Sequence, residues 1–231
     1  MKLSVVMPAY NEEGAIEGVI LDHVRILESL ALPDWEIVCV DDASSDRTPQ
    51  LLAALQQRFP RLRVVRHEKN QGIFASFSDC YREARGTHIY ATGSDGEWPP
   101  ENLPRMLERL QAGADLVVGV RTNRDAVYSI SRRFISASFN ALPRLLLGVP
   151  TRDAGSVKLG IRAIFDLELI SRSPFFEAER IVKAQRAGFS VAFVPIQFRN
   201  RLSGKAGGAS WGNIRSSLRD LLLCVKTYGM R

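Results

Sequence analysis

The chain has 231 residues and a net charge of +6, with 45% hydrophobic and 24% charged residues. That balance fits one ordinary α/β domain with a real core, with or without a short appendage, and excludes a disordered or fibrous polypeptide. Cys39, Cys80 and Cys224 lack metal-ligand spacing and suit a reducing compartment; Glu12, Glu13 and Glu17 argue against a secretory leader, and no run reaches the ~18 apolar residues of a membrane span.

Strands are predicted over Leu3–Met7, Glu36–Val40, Arg63–Arg66, His88–Thr92 and Asp115–Val120, short β-branched runs bounded by polar or Gly/Pro breaks. Helical patterns fill the gaps at Glu12–Ser29, Arg47–Arg58, Ile73–Arg85 and Pro100–Ala112, with Asp46 and Pro49 marking the start of the second. Alternation of this kind predicts an α/β fold with a mostly parallel central sheet and helices on both faces. In such sheets ligands bind outside the carboxyl ends of the strands.

The first strand runs into Pro8-Ala9-Tyr10-Asn11-Glu12-Glu13, with neither the Gly-x-Gly-x-x-Gly of a dinucleotide fold nor a phosphate-cradling Walker loop. Pro8 ends ladder pairing, Tyr10 offers a flat face for a base or ribose, and Glu12 can bind ribose hydroxyls; a plain turn and helix cap would also use these residues. The second strand ends in Asp41-Asp42-Ala43-Ser44-Ser45-Asp46. Adjacent carboxylates repel unless something uses them, and one can accept the imide N–H of uracil or guanine. Part of this run is a helix cap. After the fourth strand comes an acidic loop, Gly93-Ser94-Asp95-Gly96-Glu97-Trp98-Pro99-Pro100-Glu101.

Pro8–Glu12, Asp41–Asp42 with Ser44 and Asp46, Asn70-Gln71-Gly72, the Gly93–Glu101 loop and Val117-Val118-Gly119-Val120-Arg121 occur in the order found in inverting family 2 glycosyltransferases. The chain resembles that family over nearly its whole length. It is most similar to the polyprenyl-phosphate sugar transferases of the dolichyl-phosphate mannose synthase type, through Arg132 with Ser136, Asp153-Ala154-Gly155-Ser156, and Arg201 with Gly204 and Lys205. The resemblance implies a GT-A, Rossmann-like fold. It places Pro8, Tyr10, Asn11, Glu12, Asp41 and Asp42 at the nucleotide and a divalent ion, Mg²⁺ or Mn²⁺, at positions 93, 95 and 97. Gly93 stands where the family usually has the first Asp of Asp-x-Asp, so Asp95 and Glu97 are left to hold the ion, more weakly.

Transfer to a hydroxyl needs a general base, and Asp153 is the candidate, or else a turn residue. Transfer to a phosphate needs cations instead, and Arg121, Arg132 and Lys205 with Ser136 are available. The surplus of arginine favours phosphate. From Ile196 onward seven Lys or Arg oppose Asp220 alone, which accounts for the whole net charge, and Arg121, Arg124, Arg132, Arg133 and Arg144 form a second cluster. Such charge suits an anionic partner or is a solvated face; no module for nucleic acid accompanies it. Ile135, Phe139, Leu142 and Leu146 within Phe134–Leu147, and Ile214, Leu218, Leu221 and Val225 near the C-terminus, form apolar stripes beside basic residues. Each is an interfacial or a core helix.

The resulting expectation is a transferase domain over 1–198, with a nucleotide-binding half (1–121) and an acceptor half (122–198), followed by a basic loop and amphipathic helix (199–231). It would move a sugar from a nucleotide-diphosphate donor to a polyprenyl phosphate, peripherally, at an acidic membrane surface on the cytosolic face. A glycan hydroxyl acceptor, or a weakened nucleotide-sugar binding module, are the alternatives.

Overall fold

A computed structural model describes residues 1–123, 141–149, 153–202 and 210–229. Strands β1 (Lys2–Ala9), β2 (Asp34–Asp41), β3 (Leu62–Arg66), β4 (His88–Ala91) and β5 (Leu116–Arg121) lie where the β-branched runs place them. Between them run α1 (Ile16–Ser29), α2 (Thr48–Arg58), α3 (Ile73–Glu83) and α4 (Leu103–Gln111), the last preceded by a 3₁₀ turn at Pro100–Asn102. α1 begins later than its apolar period suggests, because the Glu12 carbonyl first accepts from the N–H groups of Ala15 and Ile16 in a separate turn.

The C-terminal part adds elements that periodicity did not mark, β6 (Lys158–Ile161), α5 (Arg162–Phe165), α6 (Phe176–Arg186) and β7 (Val191–Ile196), and ends in α7 (Trp211–Tyr228), the helix on which the C-terminal apolar stripe lies. Residues 141–147 are also helical. The strands form one sheet of seven in the order β3-β2-β1-β4-β6-β5-β7. Strand β6 runs antiparallel to both neighbours and every other pairing is parallel. Side chains alternate across the sheet. Leu3, Val5 and Met7 pack with Ile16 and Ile20 of α1, Leu52 of α2 and Met106 of α4. Val6, Val38 and Val40 join Cys80 of α3, Ile181 of α6 and Leu221 of α7 on the other face.

Helix α7 packs through Ser217, Leu221 and Cys224, and leaves Leu218 exposed. The predicted stripe therefore splits. Its rotation is set by polar clasps: Asp220 Oδ2 accepts from the backbone N–H groups of Arg172 and Ser173, and the Tyr228 hydroxyl donates to Glu179. Of the predicted Phe134–Leu147 helix, residues 134–140 lie outside the described residues; in the remainder Leu142 and Leu145 are exposed and Leu147 is buried.

The short β6 escapes a hydrophobicity reading because it opens with Lys158, a fully buried ammonium. Its Nζ donates to the carbonyls of Ala154 (2.7 Å) and Ser156 (3.0 Å) and pairs with Glu177. Gly160 lets β5 approach, since a Cβ there would lie 2.7 Å from the Asp115 carbonyl oxygen. Gly160→Ala is expected to cost about 1–3 kcal/mol through forced backbone movement, read as a lower urea midpoint; an unchanged midpoint would show that this edge yields without cost.

Candidate active site

The carboxyl ends of β1, β2, β3, β4, β5 and β7 and the start of β6 lie along one edge of the sheet. The turns after β1 and β2 are interlocked there by reciprocal hydrogen bonds. Asn11 N donates to Ser44 Oγ (2.9 Å) and Ser45 N to Asn11 Oδ1 (2.8 Å). Glu12 N donates to Thr48 Oγ1 (2.8 Å), Glu13 N to Asp46 Oδ2 (3.1 Å), and Arg47 N to Glu13 Oε2 (3.0 Å). The side chains of each turn thus satisfy the orphan N–H groups of the other. Asn11 and Ala43 take positive φ, 55° and 59°, a conformation that costs a residue with a Cβ about 1–2 kcal/mol and clusters at functional sites.

Above this clasp Tyr10 stands 48% exposed, while Asp41 and Asp42 are buried at the β2 end. Asp41 Oδ1 accepts from Ser44 N (3.1 Å) and Oδ2 lies 3.2 Å from Arg66 Nε. Asp42 accepts from Gln71 N and Gly72 N, both at 2.8 Å, and from His67 Nδ1. Tyr10, Asn11, Asp41 and Asp42 therefore lie together at the adjoining ends of β1 and β2, with Glu12 next to them in the chain.

The acidic loop closes the far side. Ser94 Oγ donates to the Pro8 carbonyl at 2.7 Å, and Glu97 N to Asp95 Oδ1 at 3.0 Å. Gly96 has φ +75°, and a Cβ there would lie 2.7 Å from the Leu202 side chain. The segment after β7 runs along this loop: Arg199 N donates to the Glu97 carbonyl (2.9 Å) and Leu202 N to that of Asp95 (3.1 Å). Arg201 is thereby carried into the carboxylates. Its Nη2 lies 2.6 Å from Asp95 Oδ2, Nε 3.6 Å from Glu97 Oε1 and Nη1 3.9 Å from Glu12 Oε1.

These three side chains offer hard oxygen donors of the kind Mg²⁺ and Mn²⁺ take, and a protein cation already stands in their midst. Gly93 also has a structural reason. A Cβ there would lie 3.2 Å from both Asp95 Oδ1 and Trp98 Cδ1, so the buried indole occupies the space that a longer side chain would take.

Trp98 joins the loop to Arg121, whose guanidinium carbon lies 5.0 Å from the indole centroid and 5.2 Å from that of Phe198. Arg121 also grips Asp153 twice over: the backbone N–H donates to Oδ2 at 2.8 Å, Nε donates to the same oxygen at 2.8 Å, and Nη2 pairs with Oδ1. Asp153 is 0% exposed. Its carboxylate is engaged by Arg121 through both backbone and side chain. Arg132, Ser136 and Lys205 lie outside the described residues.

The sequence reading brought Arg201 to an acceptor loop; the fold also brings it to Glu12, Asp95 and Glu97. It passed over Thr48, Trp98 and His67. Only the position of His67, three residues before Asn70-Gln71-Gly72, was a signal for it.

Residues 4–166 match the family model Glycosyl transferase family 2. The chain belongs to this family. It is 30% identical over 206 residues to Glycosyltransferase AglD of Haloferax volcanii, covering 86% of this chain and 33% of that protein. It is 29% identical over 234 residues to the undecaprenyl-phosphate 4-deoxy-4-formamido-L-arabinose transferase of Salmonella choleraesuis, covering 100% of this chain and 69% of that one. The chain thus spans a third of the length of the first relative and about two thirds of the second. In fold it is similar to glucosyl-3-phosphoglycerate synthase of Mycobacterium tuberculosis, solved with Mn²⁺, UDP and glucosyl-3-phosphoglycerate (TM-score 0.71, 19% identity, 96% of this chain and 79% of that one). It is likewise similar to the mannosyltransferase PcManGT of Pyrobaculum calidifontis, solved with GDP-Man and Mn²⁺ (TM-score 0.69, 19% identity, 96% and 64%). The family 2 chain described here therefore has the GT-A architecture of those enzymes.

Two outcomes test the geometry. Asp153→Asn is expected to cost about 3 kcal/mol, the usual effect of breaking a buried ion pair, seen in urea unfolding; full stability with lost turnover would instead mark Asp153 as a base. Arg201→Gln is expected to tighten Mn²⁺ binding without nucleotide about tenfold, by removing one competing charge-assisted bond. Electron paramagnetic resonance of free Mn²⁺ reads this directly, and unchanged affinity would mean that ion and guanidinium do not share the carboxylates.

Proposed function

We propose that this chain is an inverting glycosyltransferase that moves a sugar from a nucleotide-diphosphate sugar to a polyprenyl phosphate at a membrane surface. The observation that carries the reading is the adjacency of two features at one sheet edge: the Tyr10–Asp41–Asp42 group, and the Glu12–Asp95–Glu97 cluster around a cation. A nucleoside on Tyr10 would present its base edge to the β2 carboxylates and its ribose to Glu12, and would aim its diphosphate at the acidic loop.

Asp95 and Glu97 are the residues assigned to a Mg²⁺ or Mn²⁺ ion, whose chemistry is to stabilise the charge of the departing diphosphate. Arg201 supplies a second positive charge to the same region. On the acceptor side Arg121 is the described cation, and Arg132, Ser136 and Lys205 are assigned the same acceptor role from the sequence. A phosphate acceptor is already anionic near neutral pH and needs orientation more than a base. The commitment of Asp153 to Arg121 supports this over a glycan hydroxyl, as does the undecaprenyl-phosphate acceptor in the name of the Salmonella relative.

The lipid acceptor requires contact with a bilayer. No helix among the described residues is long and apolar enough to cross one. Helix α7, however, turns Trp211 (86% exposed), Leu218, Leu222 and Leu223 outward together with Arg215, Arg219 and Lys226, an apolar and basic face suited to an acidic interface. The cytosolic leaflet is the side we assign.

The test is nucleotide release from UDP-, GDP-, dTDP- and CDP-sugars with Mg²⁺ or Mn²⁺, with and without polyprenyl phosphate in detergent. Release from one donor that requires the lipid and stops with chelator is expected. Release indifferent to the lipid would overturn the acceptor, and nucleotide binding without any release would indicate a binding module.

A further inference from the structure

His67, just past the end of β3, is buried with its ring between two carboxylates from different elements. Nδ1 lies 2.7 Å from Asp42 Oδ1 and Nε2 lies 2.8 Å from Asp79 Oδ2 of α3. Ionised carboxylates only accept, so both ring nitrogens must donate, and only the imidazolium has a proton on each. On the outer side Arg82 pairs with Asp79 Oδ1 at 2.5 Å. On the inner side the Asp42 carboxylate has three donors: His67 and Gln71 N on Oδ1, and Gly72 N on Oδ2. Two carboxylate oxygens offer about four acceptor positions, so one remains on Oδ2.

We propose that His67 is a positioning residue of the nucleoside site: by donating to Asp42 and Asp79 at once, it fixes the Asp42 carboxylate and the 67–72 turn so that the remaining Oδ2 position meets a nucleobase N–H. This rests on the nucleotide reading given above. Without the ring, the Asp42 carboxylate would keep only the Gln71 and Gly72 N–H donors among those described above, and Gly72, with φ +84°, is a pivot that few other residues would hold in place.

The clamp is sensitive to pH. The charged groups around the ring are Asp42 from β2, Asp79 and Arg82 from α3, and the flanking Asp41–Arg66 pair of β2 and β3. Burial lowers the His67 pKa, but the hydrogen bonds to Asp42 and Asp79 outweigh it and leave the group above its ordinary 6.5. The doubly donating ring is therefore intact below the ordinary 6.5 and is lost as pH rises through that raised pKa. One nitrogen would then point a lone pair at a carboxylate oxygen.

Calorimetric affinities for UDP, GDP, dTDP and CDP, measured over about pH 6 to 9, test the proposal. For the nucleotide that binds wild type, affinity is expected to fall as pH rises. His67→Gln, which has a single donor nitrogen in place of two, should weaken it about tenfold near pH 6 and flatten the pH profile. Asp79→Asn does not touch Asp42, and should move the midpoint of the profile to lower pH by withdrawing one of the charges that raises the His67 pKa. It decides the matter even if His67→Gln fails to fold. Wild-type affinity in His67→Gln, or an unmoved midpoint in Asp79→Asn, would overturn the inference while leaving the nucleotide site standing. Failure of the wild type to bind all four nucleotides would instead overturn the nucleotide reading beneath it.

Discussion

Carboxylates crowded along one edge of a mostly parallel sheet must each find a cation or an N–H donor, and most of the site follows from how they do so. Asp42, Asp95, Glu97, Glu12 and Asp153 are all buried. A buried charge without a partner costs several kcal/mol. Asp42 is held by His67 and two backbone amides, Asp153 by Arg121, and the acidic loop with Glu12 by Arg201. Each partner comes from a different stretch of chain, so charge compensation ties the β1, β2 and β4 turns to segments folded far away in sequence.

The compensation extends backwards into the fold. Arg121 holds Asp153, and the loop behind Asp153 is held in turn by the Lys158 ammonium through the Ala154 and Ser156 carbonyls. Lys158 pairs with Glu177 on α6. Burial drives its pKa down while Glu177 resists the fall. A helix on the back of the sheet is thereby connected to the arginine assigned to the acceptor phosphate. Trp98 makes the shorter link, since its indole packs beside Gly93 and under Arg121 and joins the acidic loop to the acceptor side.

Arg201 gives Gly93 a physical context. At position 93 this chain has glycine beside a tightly packed indole, and a guanidinium stands among the acids of the loop. A guanidinium in this place gives Glu12, Asp95 and Glu97 the positive partner that buried carboxylates require.

The sequence by itself determined the first five strands, the helices between them and the order of the motifs, because those signals are local: β-branched runs, a 3.6-residue apolar period, and turns that break both. It also determined which residue types lie at the strand ends, and therefore that the Pro8–Glu12, Asp41–Asp42 and Gly93–Glu97 segments share an edge. Strand β6 was illegible, since Lys158 reads as a surface residue until Glu177 and two carbonyls surround it. The apolar stripe of α7 left open which of its residues turn inward; beside the Asp220 and Tyr228 clasps Leu221 is buried and Leu218 faces out. Only the tertiary structure decided that Arg201 joins the acidic loop, that Asp153 belongs to Arg121, and that His67 bridges Asp42 to Asp79. These are pairings of charges 106, 32 and 25 positions apart, the last extended 12 further residues to Asp79. Periodicity carries no information at such separations; the pairings exist because burial makes an uncompensated charge expensive and the sheet brings the partners within reach.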